Sequence, residues 1–144
     1  MNVIFPDIQM LLNLFKALGF AILIWIVGFV WGSVVFMTPA LKATPAIPYV
    51  SAHPAISFPI LLLWIPITYL AARVCLWRSR NPTNEGVKVG IMFAVINFML
   101  DLLMLVILLK AGFGYFASLT VWLGYLILLI IPWLTGRSLQ KTRA

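Results

Sequence analysis

The residue most able to do chemistry in this chain is Asp101, a carboxylate inside the otherwise apolar run 90–109, with Asn97 one helical turn before it. No other apolar run of the sequence holds an acidic residue. Such a segment can still enter a bilayer. Between positions 91 and 109 there are thirteen Leu, Ile, Phe or Val residues, which together favour insertion by about 4–8 kcal/mol, against about 2.5–3.5 kcal/mol for one central Asp. At 1.5 Å per residue, Asp101 lies about 12 Å from the end at Leu109, too deep for so short a side chain to reach the surface. It is therefore expected to face protein or a wet cavity as a buried protonatable group.

The rest of the chemistry is sparse. One His, one Cys and three carboxylates leave too few groups for an acid–base pair, and no Cys/His spacing matches a metal site. The chain is therefore read as non-enzymatic, without metal or cofactor. Lys42, Tyr49 and His53 are the contact candidates of the first loop, 38–54, where four prolines preclude a regular helix. A solvated spacer is the plainer reading of that loop.

These residues need a scaffold, and composition identifies its class. With 64% hydrophobic and 9% charged residues among 144, the chain departs far from a soluble domain, in which about a quarter of residues are charged. It reads as an all-α integral membrane protein, a single domain of four transmembrane helices at about 17–37, 55–72, 89–109 and 115–134. A short N-terminal interfacial helix is expected before the first span, where apolar positions alternate with Asp7, Gln9, Asn13 and Lys16. The glycines of the 110–114 connection predict that the last two spans form a hairpin, within an antiparallel bundle.

Charge distribution orients the scaffold. Of ten Lys and Arg residues, only Lys42 and Lys110 fall in the first and third loops; the others flank the termini and the second loop. Both termini are therefore expected in the cytoplasm, with the protein multi-pass in the cell membrane. The same dispersal argues against nucleic acid, which favours one basic arm or patch. The lipid bilayer is the expected partner, with a homo-oligomer or a membrane-protein partner compatible with the sequence.

Within the first span, Gly28 and Gly32 form a G-x-x-x-G pair suited to close helix packing, either in-chain or between copies. Matching depths by rise per residue puts Trp31, Trp64, Thr120 and Trp122 near the level of Asp101. An indole N–H or a hydroxyl from these residues could donate to the carboxylate, or the rings could only fill space. Two functions fit: a non-catalytic accessory or assembly protein held together by its polar core, or a small oligomeric proton- or cation-coupled transporter or channel using Asp101.

Overall fold

The computed structural model of the chain describes residues 6–37 and 54–143, with side chains over 13–34 and 57–142. Lys42, Tyr49 and His53 lie outside the described residues. The described chain is helical and without strands. It comprises α1 (Pro6–Met37), α2 (Pro54–Leu76), α3 (Pro82–Leu100), a π-helical continuation (Asp101–Leu108), a 3₁₀ turn (Phe113–Ala117) and α4 (Leu119–Arg143). Four segments are long and apolar enough to cross a membrane: Asn13–Val34, Ser57–Leu76, Pro82–Leu108 and Leu119–Thr142.

Three of these helices open on a proline, Pro6, Pro54 and Pro82, whose fixed φ and missing N–H suit the first helical position. Pro59 and Pro66 sit within α2 and Pro132 within α4 without ending either helix. The helices outrun the apolar stretches expected to bound them. Residues 6–16 are the first turns of α1 and make no separate element, because nothing between Pro6 and Ala17 breaks the helix. Arg73 stays helical, its guanidinium over the Trp77 ring one turn on, 5.6 Å from the centroid. Glu85 and Lys88 pair at 3.0 Å within the first turns of α3.

The last helix begins a turn later than expected. Lys110 (φ 54°) and Gly112 (φ 75°) adopt left-handed conformations, and the chain winds through the 3₁₀ turn before Leu119. A lysine in that region is uncommon. Here the Ala111 N–H bonds the Leu105 carbonyl at 2.9 Å and closes the end of the π segment.

Helices α3 and α4 share the most extensive interface, as the hairpin expectation required, and α2 packs chiefly on α4. Their backbones meet along a seam of glycines. A Cβ on Gly86 would lie 2.5 Å from the Pro132 carbonyl oxygen, one on Gly90 2.7 Å from that of Leu129, and one on Gly136 would collide with that of Pro82. Partner numbers fall along α4 as they rise along α3, so the two helices run in opposite directions. Helix α1 lies beside α3 in the same direction, with Ala21 bonded to Asn97 and Trp25 to Asp101. Alternating spans give α1 and α3 the same direction, so these two pack as a parallel pair.

The G-x-x-x-G pair of α1 behaves differently from that seam. Gly28 meets the Trp64 ring, 2.8 Å from where its Cβ would stand, and Gly124 on α4 meets the same ring at 2.7 Å. The indole is thus gripped between two glycines. A Cβ on Gly32 would meet nothing within 4 Å among the described residues outside its own helix.

Overpacking a close backbone contact costs about 1–3 kcal/mol. We expect Gly90→Val and Gly136→Val to lower unfolding stability in mild micelles by that amount or more. Gly32→Ala should leave stability unchanged or raise it by up to about 1 kcal/mol through helix propensity. Equal sensitivity at positions 32 and 90 in a denaturant titration would refute the seam.

Candidate functional site: a buried carboxylate held by three donors

Asp101 stands at the junction of α3 and the π segment. Its own N–H still points back to the carbonyls of Asn97 and Phe98. At the far end of the segment, Leu109 N–H bonds the Met104 carbonyl five residues back, at 2.9 Å, the wider spacing that defines a π-helix. The carboxylate is 6% exposed.

Three side chains donate to it. Trp25 Nε1–H on α1 bonds Oδ1 at 2.8 Å. Tyr125 on α4 and Tyr115 on the 3₁₀ turn donate their hydroxyls to Oδ2 at 2.5 and 3.2 Å. Neither oxygen is left without a donor. Since a buried acceptor left unsatisfied costs about 1–3 kcal/mol, and more if charged, this arrangement removes most of the penalty of placing Asp101 in an apolar helix.

Aromatic packing positions the donors. Trp25 stacks on Phe29 at 5.0 Å. Tyr125 lies edge-on to Phe98 and to Trp122, at 5.9 and 5.8 Å, and Tyr115 edge-on to Phe116 at 5.2 Å. Trp122 also donates its Nε1–H to the Phe116 carbonyl at 2.8 Å, which ties the 3₁₀ turn to α4. The structure gives Trp122 a supporting place, one contact away from the carboxylate.

The remaining expected neighbours go elsewhere. Asn97, 1% exposed, spends both amide hydrogens on carbonyls, Ala21 on α1 at 3.1 Å and Phe93 at 2.9 Å. It is an α1–α3 fastener and not a donor to Asp101. Thr120 shares a hydrogen bond with Ser118 at 2.7 Å. Trp64 fills the glycine grip, and its Nε1, buried, has no partner among the described residues. Trp31 lies about 9 Å further along α1 than Trp25 at 1.5 Å per residue.

The three actual donors were missed for identifiable reasons. Depth was reckoned from apolar boundaries, but the parallel α1–α3 register brings Trp25, not Trp31, level with Asp101. Tyr115 reads as an interfacial belt residue beside Phe113. The turn exposes Phe113 (75%) and directs the Tyr115 hydroxyl inward. Tyr125 lies in the middle of an apolar run, where a phenol hydroxyl was itself a signal for a buried partner.

Among the described residues, no group of three His, Cys, Asp or Glu side chains could hold a metal ion. The single thiol, Cys75, is 1% exposed in the core. Comparison with known protein families, curated proteins and solved structures returns no match. The class defined by fold and site is therefore an all-helical protein with four potential membrane spans, compatible with a small membrane protein and built around a carboxylate with three donors.

Outside the spans, the Tyr115 hydroxyl is held well above the ordinary phenol range, first by burial, then by the Asp101 charge and the hydrogen bond to it. With a folded pKa above the unfolded value of about 10, its contribution to stability is complete below pH 10 and is lost as pH rises further. The alkaline fall in unfolding midpoint should be shallower in Tyr115→Phe than in wild type; an identical profile would count against this coupling. Tyr125→Phe and Trp25→Phe should each cost about 0.6–1.7 kcal/mol, the range for interhelical hydrogen bonds in membrane proteins. Asp101→Ala, which strands three donors, should cost about 2–4 kcal/mol. Equilibrium unfolding in micelles checks the order, and an Asp101→Ala protein as stable as Tyr125→Phe would contradict it.

Proposed function

We propose that this chain is a multi-pass cell-membrane protein of non-enzymatic, accessory or assembly type, in which Asp101 is an interhelical lock. The observation that carries this reading is that Asp101 finds its donors within the chain: Oδ1 accepts from Trp25 and Oδ2 from Tyr115 and Tyr125. A carboxylate used this way joins α1, the π-helical segment, the 3₁₀ turn and α4, and leaves neither oxygen without an in-chain partner. Four spans place both termini on one side. The excess of Lys and Arg near those termini and in the loop between α2 and α3 supports a cytoplasmic location for them.

A second reading, an oligomeric proton- or cation-coupled transporter using Asp101, is favoured by one observation. The π bonding begins at the carboxylate, and π segments are frequent at functional sites.

Proton flux separates the two. Asp101→Asn keeps an acceptor for Trp25, and its amide can donate to hydroxyls that rotate to accept, so the variant should fold. Under the proposed reading, vesicles loaded with a pH dye and carrying wild-type or Asp101→Asn protein are equally proton-tight. Flux present in wild type and abolished in a folded Asp101→Asn protein would establish transport instead.

Orientation has its own test. Because Cys75 is buried, reporters are best placed at exposed Ser138 and Ala117 in a Cys75→Ala background. In intact cells an impermeant thiol reagent should label Ala117→Cys and spare Ser138→Cys. The reverse pattern would invert the topology.

A further inference from the structure

A groove of about 610 Å³ lies between the start of α3 and the end of α4, lined by Asn81, Asn84, Trp133, Arg137 and Lys141 and bridged by a hydrogen bond from Thr83 to Gln140. It is shallow and open to its surroundings along most of its length. Its charge is unbalanced: among the described residues the one ion pair is Lys88 with Glu85, and neither Arg137 nor Lys141 faces a carboxylate. Arg137 is also preorganised. Its guanidinium lies over the Trp133 ring, 5.8 Å from the centroid, a stacking that leaves the N–H edges free for an oxyanion.

The opposite wall adds donors of the same sense. Asn81 makes no side-chain cap to α3 and lines the groove with Asn84, so both amides can donate to an anion, while the Glu85 carboxylate of the same turn is turned to Lys88. Trp133 marks the level of the groove as the membrane–water boundary, where indoles concentrate. Basic pockets between spanning helices at that level suit anionic headgroups.

We infer that this groove binds the phosphate of an anionic phospholipid, with Arg137 and Lys141 as its cationic ligands and the Asn81 and Asn84 amides on the facing wall. The inference rests on the membrane reading, but the two fail differently. A protein that does not partition into bilayers defeats the membrane reading, whereas one that partitions without lipid preference defeats only the groove.

Native mass spectrometry of the full chain released from micelles, with equal amounts of phosphatidylglycerol and phosphatidylcholine, tests the inference. Wild type should retain phosphatidylglycerol preferentially. Arg137→Gln with Lys141→Gln should lower its occupancy about tenfold or more, from two lost surface cations. Lys16→Gln with Arg73→Gln, which removes the same charge from α1 and α2 and spares the groove lining, should leave occupancy within about twofold of wild type. Equal losses in the two Gln pairs would reduce the effect to diffuse attraction and overturn the site. Displacement of the lipid by an equimolar amount of inorganic phosphate would show that a free anion, not a headgroup, is the occupant, and overturn the lipid assignment.

Discussion

A carboxylate in an apolar helix must find donors, because hydrocarbon supplies none. The arrangement of this protein follows from how Asp101 finds them. Its donors come from α1, from α4 and from the turn between the third and fourth spans, so the demand of one side chain ties the first span to both sides of the last hairpin. Asn97 repeats the theme one turn away by tying α3 to the Ala21 carbonyl of α1. Polar contacts of this kind hold a bundle together where apolar contact alone discriminates poorly, since lipid tails are as apolar as leucine.

Close backbone approach supplies the other half of the architecture. The glycines at 86, 90 and 136 let α3 and α4 meet backbone to backbone, and that proximity allows the short 3₁₀ turn to lie against the Asp101 end of the hairpin. The grip of Gly28 and Gly124 on Trp64 serves the same end with a side chain as the wedge. The polar lock and the small-residue seams depend on each other: helices held further apart would move Tyr125 away from the carboxylate.

The four long apolar helices and the burial of Asp101 were legible in the sequence because both rest on residue type in an apolar context. The donors were not, since they depend on helix register and rotation, which rise per residue cannot supply. Gly86 and Gly90 form a G-x-x-x-G pair as clear as that of Gly28 and Gly32, but they precede or open the apolar run 90–109 and so lie at the edge of the expected span. In the structure the helix runs through both glycines. The π bonding after Asp101 has no marker in residue type at all.

That π segment gives the third span a slack length. Each of its hydrogen bonds encloses one residue more than an α-helical bond does, so the stretch from Asp101 to Leu108 holds more chain than its height requires. The surplus acts as a phase adjuster. It lets the carboxylate face α1 at one end while the exit at Lys110 is turned to the angle that starts the next strand of the hairpin, without a kink in the span. The cost is local: wider turns bond less compactly than α turns, and they begin at Asp101, where Tyr115 and Tyr125 cover the carboxylate.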